Sequence, residues 1–227
     1  MAVMRTDRPQ RTLAIPGVYA PQQDSHLLMR AIRNEGVGPG MDVLDLGTGT
    51  GVLALGAARL GARVTAIDVS RRAVLCARVN AVLSRQRVTV RRRDVSTIAS
   101  AYGGRYDVVI SNPPYVPTPP VGLLRSGADR ARDGGHDGRA LVDQVCACAA
   151  TALRPRGVLL MVHSGLCGTK STIDRLAEDG LRAQVSDRVL VPFGPVMRSR
   201  LAWLRERGLL DEGQDTEELV VIRAEQA

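Results

Sequence analysis

One stretch narrows the possible folds more than any other: Asp42-Val-Leu-Asp-Leu46, then Gly47-Thr-Gly-Thr-Gly51, then an apolar run from Val52 to Leu60. It reads as strand, glycine turn and helix, the unit from which helix-covered parallel sheets are built. Glycine at 47, 49 and 51 lets the backbone turn tightly and approach a ligand with no Cβ in the way. Val52 breaks the G-x-G-x-x-G dinucleotide fingerprint, and no Gly-Lys-Ser/Thr follows to make a Walker loop. A second strand over 63–67 ends at Asp68, about twenty residues past the first glycine, where an acid can take ribose hydroxyls. Asp68 is equally placed to cap the helix from Ser70 to Leu83, and the two roles are compatible. A third strand over 87–90 leads to Asp94-Val95. There Asp94 is placed to read an adenine amino group or to cap a short helix over 96–102.

A fourth apolar strand, 106–111, runs into Asn112-Pro113-Pro114-Tyr115. Neither proline can donate to a ladder, so the strand ends there, and Pro113 biases Asn112 toward extended backbone. The expected result is a stiff corner at a strand's C-terminal end, where open parallel sheets bind ligands. The Asn112 side-chain oxygen and the Pro113 carbonyl are acceptors, and a planar NH2 group carries two donors to meet them. Tyr115 is placed to stack on the group bearing that nitrogen. Such a corner suits methylation of an amide or exocyclic amine; a plain Pro-Pro turn is the alternative.

The rest of the chain extends the alternation. Asp24 or Ser25 is expected to cap a first helix through Ile32. From Val116 to Gly138 the chain reads as a loop, placed over the reacting group to handle the substrate. Helices follow over 139–153, 172–180 and 195–210, with strands over 157–162, 184–191 and 217–223. The expected fold is α/β: a doubly wound, seven-stranded, mostly parallel sheet in a single domain, 16–227, after a flexible segment, 1–15. Net charge is +8, but the basic residues are nearly all arginine, with Lys170 the one lysine. That lopsidedness fits codon bias as well as an anionic partner, so Arg71-Arg72 and Arg91-Arg92-Arg93 read as solvated faces. Cys76, Cys146, Cys148 and Cys167 lack paired spacing, which argues against a metal or disulfide role and for small buried side chains. No apolar run nears membrane-spanning length and no signal segment opens the chain, so a cytoplasmic location is expected.

The combination resembles the class I S-adenosylmethionine-dependent methyltransferases, and within them the HemK/PrmC family of glutamine N5-methyltransferases acting on translation release factors. Asp45-Leu-Gly-Thr-Gly-Thr-Gly51 matches the family's cofactor loop and Asn112-Pro-Pro-Tyr115 its catalytic signature. Tyr19-x-Pro21-x-x-Asp24-Ser25 and Gly134-Gly135-His-Asp-Gly138-Arg139 look closest to the short eukaryotic and archaeal members. The resemblance implies S-adenosylmethionine as cofactor, with Gly47, Thr48, Gly49 and Gly51 beneath its methionine part and Asp45 holding that loop. It further implies Asp68 on the ribose, Asp94 and Val95 around the adenine, and Pro21, Asp24 and Ser25 closing the site. Asn112, Pro113 and Tyr115 would grip the target nitrogen. A small activator protein is an implied partner, since eukaryotic short members use one. Two departures stand out: only residues 1–46 precede the glycine loop, where bacterial members carry a helical docking domain, and the helix over 195–210 is longer than the short members' turn.

Two other readings compete. A nucleic-acid methyltransferase acting on adenine N6 or guanine N2 needs the same corner, but aromatic residues are only 3% of the chain, which leaves few stacking platforms. A non-catalytic cofactor-binding adaptor would have no use for an intact Asn112 corner.

Overall fold

Short β-branched runs alternate with helical apolar stripes, and the two periods sort into a sheet and its cover. The computed structural model describes residues 12–97, 103–119 and 134–226. Its strands are β1 (Asp42–Leu46), β2 (Arg63–Asp68), β3 (Val88–Arg92), β4 (Tyr106–Ser111), β5 (Leu153–Ser164), β6 (Leu181–Pro192) and β7 (Thr216–Gln226). They form one seven-stranded sheet in the order β3-β2-β1-β4-β5-β7-β6. The first five are mutually parallel, and β7 runs antiparallel to both β5 and β6. The doubly wound, mostly parallel sheet expected from the sequence is therefore present. Strand order reverses between β1 and β4, and a crevice opens at their C-terminal ends at such a switch point.

The helices are α1 (Gln23–Asn34), α2 (Val52–Arg59), α3 (Arg71–Leu83), α4 (Ala140–Ala152), α5 (Thr169–Glu178) and α6 (Pro195–Glu206). The central strands are covered on both faces: Leu44, Leu46, Ile67, Ile110, Leu159, Leu160 and Met161 are all fully buried. Each such side chain contributes about 1.5–3 kcal/mol, so the strands that carry the site are held by the best-packed part of the molecule. At the β3 edge, Leu75, Val79, Val82 and Leu83 form an exposed apolar stripe along α3.

Several boundaries differ from expectation. Helix α1 has Gln22 at its N-cap position with no side-chain cap bond, so Asp24 and Ser25 lie inside the first turn, buried. Strand β5 begins at Leu153 because Leu153 already pairs with Tyr106, ahead of a register shift. Strands β6 and β7 are longer than their apolar cores because their antiparallel pairing runs from Leu181↔Gln226 to Pro192↔Thr216. Helix α5 starts at Thr169, just after Gly168 at φ +84°, and α6 ends at Glu206. Of the short helix expected over 96–102, a single 3₁₀ turn, Val95–Thr97, is seen; residues 98–102 lie outside the described residues. The same holds for 120–133 of the expected substrate loop and for 1–11 of the segment expected to be flexible. Part of that segment is pinned: Asn80 bonds both backbone groups of Leu13, and Ile15 packs with Val18, Ala73 and Cys76. All four cysteines are buried. No helix among the described residues is long and apolar enough to cross a membrane.

Candidate active site

Strand register assembles the site. Leu46 pairs with Ile67 on one side and with Ser111 on the other, so Gly47, Asp68 and Asn112 come side by side at the ends of three neighbouring strands. Adjacent strands are about 4.8 Å apart, which fixes the spacing of these three positions before any side chain is considered. The Ser111 hydroxyl donates to the Leu46 carbonyl at 2.9 Å and locks the Asn112 corner to the glycine turn. A cavity of about 420 Å³ opens over these ends.

On the glycine side, Gly47 (φ +71°) and Gly49 (φ +55°) have open space where a Cβ would stand, so the turn is a cradle with its floor exposed to the cavity. Thr48 and Thr50 line the same wall. Asp68 accepts from the Gly49 amide at 3.0 Å and the Ser70 amide at 2.8 Å, which ties the β2 end to the turn. Burial raises the Asp68 carboxyl above its ordinary value, and the two amides oppose that shift. The helix following Asp68 is capped by Ser70, whose hydroxyl accepts from the Ala73 amide. Asp94 caps the 3₁₀ turn, its carboxylate accepting from the Ser96 amide and hydroxyl, and it lines the cavity beside buried Val95. The Ser96 hydroxyl and amide hold its carboxyl below the usual range.

Asp45 and Gly51 stand behind this wall. Fully buried Asp45 accepts the Thr48 hydroxyl at 2.6 Å, and burial pushes its carboxyl up to about 7 against the pull of Thr48 and the Ala54 amide. Gly51 sits at φ +84° at the start of α2, with Ala77 of α3 3.1 Å from where a Cβ would be. Asp45 thus holds the turn from beneath, as expected for it, and neither Asp45 nor Gly51 lines the cavity.

The acceptor side is built around Asp24. Its Oδ2 accepts the Tyr19 hydroxyl at 2.8 Å and the Tyr115 hydroxyl at 3.2 Å, while Oδ1 accepts from the Ser25 amide at 2.6 Å. Burial and the nearby Asp24 and Glu217 carboxylates hold the Tyr115 phenol protonated well above its usual value, so it acts as a donor. Asn112 Nδ2 makes a long contact, 3.5 Å, to the Ser25 hydroxyl, which leaves Oδ1 as the end available to accept. Pro21, Asp24, Ser25, Asn112, Pro113 and Tyr115 all line the cavity with the glycine turn.

Three contributors were missed from the sequence. Asn80 of α3 donates to both Leu13 O and Thr50 O at 2.9 Å, joining the leading segment to the glycine turn. Arg200 of α6, buried, donates from Nη1 to Val116 O at 2.8 Å, Thr118 Oγ1 at 2.9 Å and Pro117 O at 3.2 Å. The long helix that marked a departure from the short members thus clamps the chain leaving the Asn112 corner. Glu217, at the start of β7, is buried on the cavity wall, and its carboxyl is pushed up to about 7 by burial, with Asp24 adding to the shift. Its only sequence signal is an acid sharing a strand face with Leu219 and Val221 (period two).

The glycine-rich motif beyond the corner also finds a reason. A Cβ on Gly138 would stand 2.2 Å from Tyr115 O, and one on Gly134 2.8 Å from Val116 O. Thr118 N donates to Gly135 O at 2.9 Å and Gly134 N to Thr118 Oγ1 at 3.2 Å. Both ends of the expected substrate loop are therefore stitched together on the corner. Arg139 then fans into Cys167 O, Gly168 O, Thr172 Oγ1 and Asp143.

All four charged residues lining the cavity, among the described residues, are acids: Asp24, Asp68, Asp94 and Glu217. This is a negative socket in a chain of net charge +8. Among the described residues no cluster of His, Cys, Asp and Glu is placed to hold a metal ion.

Comparison with known proteins points one way. The family model for the methyltransferase small domain matches residues 11–121. A Methanocaldococcus jannaschii protein assigned as a protein N5-glutamine methyltransferase is 33% identical over 186 residues, covering 80% of this chain and 90% of that protein. The release factor glutamine methyltransferase of Deinococcus radiodurans is 42% identical over 125 residues, but the match spans 52% of this chain and 44% of that enzyme. Among solved structures, the E. cuniculi Mtq2–Trm112 complex, which methylates the eRF1 termination factor, superposes with a TM-score of 0.64. It is 24% identical and is covered over 93% of this chain and 99% of that one, a likeness of fold. With sequence motifs, strand order and near-full-length similarity in agreement, the chain belongs to the HemK/PrmC family of glutamine N5-methyltransferases.

Proposed function

We propose that this protein transfers a methyl group from S-adenosylmethionine to the side-chain amide of a glutamine in a protein acceptor, a translation release factor being the first candidate. The observation that carries the reading is the Asn112–Pro113 corner, one strand step from an open glycine cradle in the same cavity. The cavity suits the cofactor: a floor free of Cβ atoms for its methionine part, Asp68 for ribose hydroxyls, Asp94 and Val95 beside the base, and carboxylates around a sulfonium. The bound cofactor supplies one thing, a methyl group on a positively charged sulfur.

This chain's residues supply the rest. Asn112 Oδ1 and the Pro113 carbonyl accept the two N–H groups of the target amide. An amide nitrogen is a poor nucleophile because its lone pair is conjugated with the carbonyl. Acceptors that favour its pyramidal form act most strongly where that conjugation is lost, in the transition state. Tyr115 packs against the target while its hydroxyl stays on Asp24, and Tyr19 and Ser25 hold Asp24 in turn. Catalysis then rests on orientation: as the sulfur leaves as a neutral thioether, the methylated nitrogen, made strongly acidic, sheds one N–H proton to solvent, so no strong base is required.

The lining favours an amide over a nucleotide. A flipped base brings phosphates to the mouth of the site, and strand binding depends on Lys and Arg contacts, yet none lines the described cavity. A small activator subunit fits the same reading, as in the complex solved for E. cuniculi Mtq2, and the exposed α3 stripe is the described surface with the apolar area to receive one.

The test is incubation with methyl-labelled cofactor and separated host protein, RNA and DNA. Label should enter a release factor, at its Gly-Gly-Gln tip. Label in RNA alone would move the assignment to an exocyclic amine. Asn112→Ala should keep cofactor affinity and lower turnover by about 10²–10³-fold, the scale for losing one preorganised polar partner of a transition state. Normal turnover in that variant would remove the corner from the mechanism.

A further inference from the structure

Glu217 Oε2 is buried and has no hydrogen-bond partner among the described residues, although Glu217 as a whole is only 5% exposed. A buried carboxylate oxygen left unpaired is costly, so such groups mark places where a partner arrives from outside. The cavity is where it can arrive, because Glu217 lines it. Sheet order says which half. The glycine turn follows β1 and Asp68 ends β2, whereas β7 lies on the other side of the Asn112 corner, beyond β4 and β5. Three strand spacings, about 14 Å, separate β7 from β1, but only two separate it from β4. Electrostatic coupling agrees, since Glu217 acts on Tyr115, and Asp24 acts on Glu217.

We infer that Glu217 is an acceptor-binding residue, whose free Oε2 takes a hydrogen bond from an N–H of the methyl-accepting peptide next to the target glutamine. This rests on the function proposed above and deepens it. A glutamine side chain places its nitrogen about 5 Å from its own Cα by ordinary bond lengths, so an amide held at Asn112 keeps its peptide backbone within the width of two strands. A peptide offers N–H donors there. A nucleic-acid strand would bring its phosphates there, which a buried carboxylate repels.

The groups facing Glu217 bear on the pH test. Asp24 comes from α1, Tyr115 from the corner, and the Ser164 hydroxyl, which bonds the Glu217 carboxyl, from β5. His163 on β5 is held neutral, pushed down to about 4 by burial. Asp45 also sits near 7, beneath the glycine turn. It stays in place in every variant below, and saturating cofactor removes its effect on cofactor binding.

Wild type, Glu217→Gln and Glu217→Ala are assayed on a purified release factor at pH 6 and 8, with S-adenosylhomocysteine affinity measured by calorimetry in parallel. The Ala variant should raise KM for the release factor about tenfold or more, the scale of a hydrogen bond to a charged group, with cofactor affinity unchanged. For wild type, KM should rise as pH falls from 8 to 6 and the carboxylate is neutralised. The Gln variant, still able to accept but unable to titrate, should lose that pH dependence. Unchanged KM and an unchanged pH profile in both variants would overturn the inference, as would an equal loss of cofactor affinity. A wild-type enzyme that binds cofactor but labels no release factor would overturn the proposed function, and this inference with it.

Discussion

Replacing Arg200 by alanine tests how the Asn112 corner is held. One guanidinium nitrogen serves Val116 O, Pro117 O and Thr118 Oγ1, so the three bonds count as one charge-assisted group and are not summed. Val116 O keeps the Thr118 hydroxyl at 3.2 Å, and Thr118 Oγ1 keeps the Gly134 amide. Pro117 O loses the partner described for it. Losing one hydrogen bond from a charged donor costs about 1.5–3 kcal/mol, and a stranded buried carbonyl about 1–3 more. Water entering the space left by the side chain recovers part of this, so a net loss of about 3 kcal/mol is expected. For a chain of this size that corresponds to a fall in Tm of about 6–12 °C. Turnover should fall more than stability explains, because a shift of about 1 Å in a reacting group costs about 10²-fold. Thermal unfolding and single-turnover methylation, run well below both melting temperatures with saturating cofactor, separate the two effects. Arg200→Lys, with one ammonium in place of the fork, should fall between. Loss of less than about 0.5 kcal/mol would refute the clamp, the range of ordinary surface substitutions. Lost stability with full turnover would show that Arg200 supports the fold but not the corner.

Two further outcomes follow from the same geometry. Asp45 has a raised carboxyl, so the folded state binds its proton more tightly than the unfolded chain does. Its contribution to stability is present below about pH 4 and is lost as pH rises through about 7. Asp45→Asn should therefore gain stability relative to wild type at pH 8 compared with pH 5, by up to about 2.7 kcal/mol, since about 2 units of the shift lie between pH 5 and the folded value near 7 at 1.36 kcal/mol per unit, read by urea unfolding at both pH values. Equal differences at the two pH values would contradict it. His163 tilts the wild-type curve the other way, losing stability as pH falls from 6.5 toward 4, so the variant difference and not the raw profile is the readout. Gly138→Ala forces a Cβ to 2.2 Å from Tyr115 O at φ +79°; it should cut turnover sharply while circular dichroism keeps its helical signal, and normal turnover would show that the loop end yields freely.

The glycine-turn half of the candidate site was legible because it is local. Strand, glycine turn, helix, and an acid at the next strand end sit within Asp42 to Asp68, and parallel register carries them into one place. The Asn112 corner was legible for the same reason, since two prolines state where the strand stops. Asp24 was harder: its type suggested a helix cap, and only packing shows it inside the first turn, bonded to Tyr19 and Tyr115. Glu217, Arg200 and Asn80 reach the site from 105, 88 and 32 residues away from Asn112 in sequence, through sheet order and helix docking that no local pattern encodes. Asp45 and Gly51 show the opposite limit: motif membership identified them, but the motif does not say which of its residues face the ligand and which brace those that do.

The chain that leaves Tyr115 returns at Gly134 and is sewn to its own start through Thr118, so the corner is a closed knot independent of whatever lies between. Closing a flexible span costs only about 0.6 kcal/mol per doubling of its length. A change of length between the two tied ends is thus cheap for the corner itself.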